Sequence, residues 1–408
     1  MASSIYTYLA LVLACLSLVL ASPSSHPSIA TWDINNAHHR EACQKLSKAS
    51  PLSGCDKNRT LLVGGASSKF KTVQSAVASL PNNTETYIIL IAPGNYTEQV
   101  NVTRRGPTYL LGQTAHPKNQ SFNAVTVLWS ATASTIGPNG TAGDNAYTST
   151  LTIAPNLNAS LTGSGTTGFP VPEGTPFGCT DFRTYNMNFV NNYGGLTYAI
   201  SPSLALSISY ANGGFYYTGF YSYQDTVYVG KLGNAYFAAG EVAGQTDFFY
   251  GFGTAWVERT SVSLRNCGGG ITAWKGTNTT FPNKYGVYIV DSNVHAANSS
   301  IAAIIKGKCP LGRPWNVQHR SIFARTYLDA SILPTGYIDW NPARYTANLT
   351  LQAEYRDFGP GFNATGRALS RFDVQLTPLQ YAPYSTPAKV FQTPDGTFGD
   401  TSWIDFGV

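Results

Sequence analysis

"FYYTGFYSYQDTVYVG" (215–230) and "YFAAGEVAGQTDFFYG" (236–251) read as two turns of one pattern. Each runs through aromatic and small residues to a carboxylate, Asp225 after Gln224 in the first and Asp247 after Thr246 in the second. The two aspartates are 22 residues apart. Other strand-like stretches recur along the chain at intervals of roughly 20–25 residues, the period of a solenoid. They include "TYIILIA", "TYLLGQ", "FRTYNMNFV", "LALSISY", "GFYYTGFYSY", "NAYFAAGEV", "YGVYIVDS" and "SIFARTYL". Gly, Asn and Pro separate them, without the tight hairpin dipeptides of an antiparallel meander. The pattern predicts an all-β chain wound as a single-domain parallel β-helix. Helical periodicity is strong only in "TVQSAVASLP" (72–81), where Val73, Ala76, Val77 and Leu80 share one face and Pro81 ends it. That segment is expected to cap the N-terminal end of the solenoid.

The repeat has a chemical consequence. Residues one coil apart lie on adjacent parallel strands, about 4.8 Å apart, so Asp225 and Asp247 are expected as neighbours on one face. Two carboxylates so placed do not both ionise freely, and their pKa values are driven apart. Spacing alone leaves a second reading open, in which both aspartates cap turns by accepting backbone N–H groups.

The ends and the composition bound the setting. Residues 1–21 read as a secretory signal peptide, an apolar run from Tyr8 to Ala21 followed by Pro23, although it lacks a basic start. Residues 22–60 follow as an N-terminal extension and 61–408 as the β-helix domain. Eleven N-x-S/T sequons, from Asn58 to Asn363, suit an exported glycoprotein in extracellular or cell-wall contact. Export permits disulfides. Cys43 with Cys55 and Cys267 with Cys309 are the expected pairs, leaving Cys179 buried and free, although spacing does not decide pairing. No clustered His/Cys pattern is present, so no metal or other cofactor is expected. The net charge of +5 is scattered. It argues against nucleic acid and is compatible with a polyanionic partner. No later segment has the apolar length of a membrane span, and the mature chain is expected to be a monomer away from the membrane.

Specific motifs then narrow the reading. "GNYTE" (94–98), "YQDTVY" (223–228), "DFFYG" (247–251) and "LGRPW" (311–315) occur in the order and spacing of the pectin methylesterase (pectinesterase) signatures. "ILPTGYIDW" (332–340) and "AEYRDFGPG" (353–361) resemble that family too, and "CGGGITAWKG" (267–276) looks most like its fungal members. The resemblance implies a right-handed parallel β-helix that hydrolyses the methyl esters of pectin. It implies Asp247 as nucleophile, Asp225 as acid and base, Gln224 as an oxyanion donor and Arg313 as the partner of Asp247. Trp315 is implied as a sugar contact, with Tyr223, Trp340 and Thr148 as lesser substrate-binding candidates.

One position departs from the family pattern. A second glutamine is usual 22 residues before that of QDT, and here Pro202 stands there. Proline donates neither through a side chain nor through N–H, so Ser201 or Ser203 would have to replace the donor. Two alternatives follow: a pectin-binding protein that no longer turns over, and a pectin depolymerase on the same solenoid. The depolymerase signatures NTD, GHG and RIK are absent. "GSGTTG" (163–168) leads into "FPVPEG" rather than a helix, which removes a dinucleotide site.

Overall fold

The computed structural model describes residues 32–408 except 48–49, 66–67, 136–142, 164–167, 169 and 194–200. The leader and most of the "GSGTTG" stretch therefore lie outside the described residues. The described strands form three parallel sheets of 11, 6 and 8 strands. Successive strands of one coil fall in different sheets, and each strand pairs with its counterpart a coil away, as a right-handed parallel β-helix requires. In the six-stranded sheet, Leu206–Ile208 pairs with Val227–Val229, which pairs with Phe249–Gly251, which pairs with Thr272–Trp274.

Alternation along these short strands sorts residues by face. Val227, Val229, Phe249 and Trp274 point into the interior core, while Tyr228, Tyr250 and Ala273 belong to a separate outer cluster with Leu204 and Phe252. Inside, aromatic rings stack coil on coil: Phe215 on Phe237 at 4.8 Å and Phe189 on Phe220 at 5.6 Å between centroids. A further core lies on the outside of the eleven-stranded sheet. Cys43 and Ile34 from the N-terminal segment and Trp403 and Ile404 from the C-terminal segment cover it. Arg40 of the helix Ala37–Gln44 reaches Asp405 at 2.7 Å, with both side chains buried, and so clamps the two ends of the chain together.

The expected capping helix forms over Val73–Ser79, with Thr72 as its N-cap. Glu98, the last residue of "GNYTE", accepts from the backbone N–H groups of Val73 and Gln74 at 2.8 and 2.7 Å. These are donors that a helix start leaves unsatisfied, and a carboxylate there also meets the favourable end of the helix dipole.

Several stretches read as single strands are pairs of strands joined by a two-residue corner. "GFYYTGFYSY" is Asn212–Tyr216 and Gly219–Tyr221, and "NAYFAAGEV" is Asn234–Ala238 and Glu241–Gly244. The first residue of each corner takes the left-handed conformation: Asn186 (φ 54°), Tyr217 (50°), Ala239 (54°), Arg259 (47°), Asp291 (48°) and Arg325 (52°). Glycine is the usual residue there. Breaks sought at Gly, Asn and Pro therefore miss corners built from Tyr, Ala and Arg. The helices Ala37–Gln44, Ser299–Ile305 and Ala364–Leu369 also went unread, being too short for a clear period. Both expected disulfides are present, Cys43–Cys55 and Cys267–Cys309, and Cys179 is free and buried.

Near the C-terminal end of the coil stack, buried carboxylates gather round one guanidinium. Arg367 donates to Glu354 at 2.6 Å and lies 3.6 Å from Asp373, while Gln375 bridges Glu354 and Asp373. Asp357 accepts from the Thr326 N–H, but one oxygen of Asp357 and one of Asp373 have no hydrogen-bond partner among the described residues. Burial, then the charge of Glu354, push Asp373 up to about 9 and Asp357 well above the usual carboxylate range. The folded state thus holds protons that the unfolded chain releases near pH 4. Its stability is full below that pH and declines as pH rises towards 9. We predict that the urea midpoint falls between pH 5 and pH 9. Asp373→Asn should remove part of that fall, on the order of 2 kcal/mol; an unchanged slope in the variant would contradict the account.

Candidate active site

The six-stranded sheet brings the two aspartates together. A bridge pairs Gln224 with Thr246, so Asp225 and Asp247 occupy equivalent positions of successive coils. The Asp225 N–H donates to the Thr246 carbonyl at 3.0 Å, and the Asp247 N–H to Gly270 at 2.7 Å. Both aspartates are left-handed, with φ of 60° and 49°. Two non-glycine residues held at positive φ on one face are the kind of backbone strain found at functional sites. Neither carboxylate caps its own turn: Asp225 accepts from Asn145 and Asp247 from Arg313, side chains of other segments.

Arg313 grips Asp247 through both oxygens, Nε to Oδ1 at 3.0 Å and Nη2 to Oδ2 at 2.6 Å. Its guanidinium lies 3.6 Å from the Trp340 ring centroid. Burial raises the Asp247 pKa, and the hydrogen bonds and charge of Arg313 oppose that rise. Asp225 has no such fork. Burial and then the charge of Asp247 push it well above the usual carboxylate range, against weaker help from Arg313 and Lys275. The two carboxyls thus have unlike surroundings: Asp247 faces a cation that opposes its rise, and Asp225 is pushed further towards its protonated form.

The grip depends on the "CGGG" run. A Cβ on Gly269 would lie 2.0 Å from Cζ of Arg313, so only glycine leaves room for the guanidinium. Gly270, whose carbonyl receives the Asp247 N–H, has φ 143°. The Cys267–Cys309 disulfide ties this run to the segment that leads into Arg313.

Gln224 is half-buried beside Asp225, and its side-chain amide makes no hydrogen bond to another described residue. Trp315 is half-buried, 5.4 Å from Tyr250 and 6.1 Å from Phe252 between centroids. Of "DFFY", Phe248 and Phe249 enter the interior and Tyr250 lines the outer cluster. Two other expected contacts sit deeper. Thr148 is fully buried, its hydroxyl donating to the Asn145 carbonyl at 2.7 Å and accepting from the Leu204 N–H at 2.9 Å. Tyr223 is also buried, with Arg265 lying 4.9 Å from its ring centroid. Neither presents an open surface in this structure. Pro202 has its carbonyl bound by the Ala133 N–H at 2.9 Å, while the Ser203 N–H donates to the Gln224 carbonyl. Ser203 is thus the residue beside Gln224, but its hydroxyl is turned to the Ser201 carbonyl at 3.1 Å.

Two residues at the site escaped the sequence reading. Asn145 donates to Asp225 Oδ2 at 2.9 Å and lies 3.2 Å from the Tyr250 hydroxyl. It stands in the short 3-10 turn Asn145–Thr148, capped by Asp144, and nothing in "DNAYT" marks it. Lys275 is buried with Nζ 3.2 Å from the Trp315 ring centroid and 4.7 Å from Phe252. Burial, helped by Lys231 and Arg344, lowers its pKa to about 7. A lone lysine after "ITAW" was its only signal.

Comparison with known proteins places the chain in a family and a fold. The pectinesterase family model matches residues 159–387. The chain is 29% identical over 325 residues to a probable pectinesterase A of Aspergillus niger, covering 79% of this chain and 84% of the relative. The solved pectin methylesterase of Aspergillus niger superposes with a TM-score of 0.64 at 22% identity, covering 86% of this chain and 97% of that one. A further solved pectin methylesterase, in complex with a hexasaccharide, has a TM-score of 0.60 at 22% identity over 83% of this chain and 98% of that one. A carboxylic ester hydrolase built on a parallel β-helix is the class that fold and site define. Within it, the chain belongs to the pectinesterase family.

Because Gly269 makes room for Arg313, Gly269→Ala should displace the guanidinium from Asp247. We predict a fall in ester hydrolysis of about tenfold or more, since small misplacements at reacting groups are costly. Circular dichroism should stay close to wild type. Full activity in the variant would show that the close approach does not set the pairing.

Proposed function

We propose that this protein is a secreted pectin methylesterase, which hydrolyses the methyl esters of homogalacturonan to free carboxylates and methanol. The observation that carries the reading is the Asp225–Asp247 pair one coil apart, with Arg313 forked onto Asp247 alone. The apolar leader and the sequons support export, and the hexasaccharide-bound relative supports a polysaccharide substrate.

In the proposed mechanism, an oxygen of Asp247 attacks the ester carbonyl carbon. Arg313 keeps this carboxylate ionised and aimed, because a guanidinium does not lose its proton and its fork matches two oxygens. The carbonyl oxygen gathers negative charge, and the Gln224 amide donates to it. Asp225 passes its proton to the methoxy oxygen as the carbon–oxygen bond breaks, and methanol leaves. An acyl intermediate on Asp247 remains. Water then attacks its carbonyl carbon and gives a proton to Asp225. The bond from the acyl carbon to Asp247 breaks and frees Asp247 as a carboxylate, the galacturonic acid product gives the second proton of the water to solvent, and Asp225 is again protonated. Asn145 orients Asp225 through the Oδ2 contact. Trp315 and Trp340 offer half-buried rings to the sugar chain.

One observation favours a second reading, a pectin-binding protein with impaired turnover. Pro202 brings no side-chain donor, and the Ser203 hydroxyl is engaged with backbone. One oxyanion donor is worth about 10²–10³ in rate, so the two readings differ measurably.

Methanol release from methylated pectin separates them. The wild type should release methanol, and Asp247→Ala and Asp225→Ala should each lower kcat at least about 10³-fold. Binding of pectin without methanol at any pH from about 4 to 9, a range that spans ordinary carboxylate and histidine titrations, would establish the second reading. The pH profile provides a further check. Activity needs Asp247 ionised and Asp225 protonated, and burial raises both pKa values. The acidic limb should therefore lie above the ordinary aspartate range near 4, and the alkaline limb should follow loss of the Asp225 proton. Asp225→Asn should leave no alkaline limb of this origin in its residual rate.

A further inference from the structure

The edge of the six-stranded sheet behind Arg313 is finished by a side chain as well as by backbone. Thr272–Trp274 is an edge strand of that sheet, and "LGRPW" (311–315) runs parallel along its open side. The Thr272 N–H donates to the Leu311 carbonyl at 3.1 Å, the Arg313 N–H to the Thr272 carbonyl at 3.0 Å and the Trp315 N–H to the Trp274 carbonyl at 3.1 Å. In an evenly spaced parallel ladder the remaining bond of this series runs from the Trp274 N–H to the Arg313 carbonyl. His319 takes it instead: Trp274 donates to His319 Nδ1 at 3.0 Å. The imidazole is fully buried, and the turn that delivers it is closed by the His319 N–H on the Asn316 carbonyl at 3.1 Å. Nδ1 also lies 3.2 Å from the Trp274 carbonyl. That carbonyl already accepts from Trp315, whereas a proton on Nδ1 would face the Trp274 N–H and leave it buried without an acceptor. Nδ1 is therefore bare, and Nε2 carries the proton. Nε2 donates to Ser321 Oγ at 2.8 Å, Ser321 Oγ to the Tyr337 hydroxyl at 3.1 Å, and that hydroxyl to the Ser321 and Ala353 carbonyls, both at 3.3 Å. Every proton of the chain has an acceptor in this tautomer. Burial, joined by the charge of Arg320, lowers the His319 pKa to about 3, so the ring stays neutral.

We propose that His319 is a positioning residue: by accepting the Trp274 N–H it releases the Arg313 carbonyl from the ladder, and so sets the backbone from which Arg313 reaches Asp247. Its effect on turnover rests on the esterase reading given above. Pro314 has no N–H to bond, so the N–H groups of Arg313 and Trp315 alone tie this stretch to the edge strand. Without an acceptor at His319, the Trp274 N–H would turn to the Arg313 carbonyl, because a buried donor left unpaired is costly. Turning that peptide would carry the guanidinium off Asp247. The fork has little slack for such a shift, since the guanidinium already fills the space over Gly269. Asp247 would then be left to burial, which raises its pKa, with less of the cation that opposes the rise.

Two variants of the full protein separate the acceptor from the bulk of the ring. Asparagine places its oxygen where Nδ1 stands, and glutamine places its amide where Nε2 stands. His319→Asn therefore keeps an acceptor for Trp274, whereas His319→Gln keeps the contact with Ser321 and more of the volume. His319→Asn should hold kcat for methanol release within about threefold of wild type, and His319→Gln should lower it about tenfold or more with KM within about threefold. The acidic limb of the His319→Gln pH profile should move to higher pH, because Asp247 loses part of its cation. The crystal structure of that variant should show Arg313 drawn off Asp247. Full activity in His319→Gln, equal losses in the two variants, or a loss with an unmoved acidic limb would assign His319 to packing and overturn the proposal. Nitrogen NMR of wild-type protein carrying isotopically labelled histidine needs no variant to fold: a proton on Nε2 is expected, and a proton on Nδ1 would equally overturn the proposal. Wild-type protein that releases no methanol would instead overturn the esterase reading, with the NMR tautomer and the variant structures still deciding the role of His319.

Discussion

The register of one parallel ladder carries the site. Val227–Val229 lies against Phe249–Gly251 with Val227 opposite Phe249, and the bridge from Gln224 to Thr246 extends that match to the residues just before. A one-residue slip would turn Val227, Val229 and Phe249 out of the core and Tyr228 and Tyr250 into it. The interior aromatic stack therefore penalises any other pairing. Asp225 and Asp247 are neighbours because the core admits only this register. Their left-handed backbone is carried by the paired strands that follow them.

Given that proximity, electrostatics does the rest. Two buried carboxylates on one face are unfavourable unless one gains a cation and the other a proton. Arg313 goes to Asp247, and Asp225 rises. The cation arrives from a different coil, across a glycine run too small to obstruct it and a disulfide that joins the two segments. The same logic operates in the buried group of Glu354, Asp357, Asp373 and Arg367, where one cation again faces more carboxylates than it can neutralise.

Much of this was legible before any coordinates. The 22-residue spacing of the aspartates and the helix at 72–81 have local signals, and both disulfides join expected pairs, although spacing does not decide pairing. The corners did not, because Tyr217, Ala239 and Arg259 are not residues that ordinarily mark a left-handed turn. They hold that conformation because strands on both sides are fixed by neighbouring coils. Thr148 and Tyr223 illustrate the same limit at the site: their motif positions suggest an open face, and packing buries them.

The sequence by itself determined the solenoid and the pair of aspartates, since both follow from a periodicity that the coil length translates into distance, while the arginine was offered by the resemblance of LGRPW to a family motif. Tertiary structure alone decided which groups surround that pair. Asn145 reaches Asp225, Lys275 lies against Trp315, and Arg344 shares Trp340 with Arg313. Those contacts join segments far apart in the chain, through loops whose course no local pattern encodes.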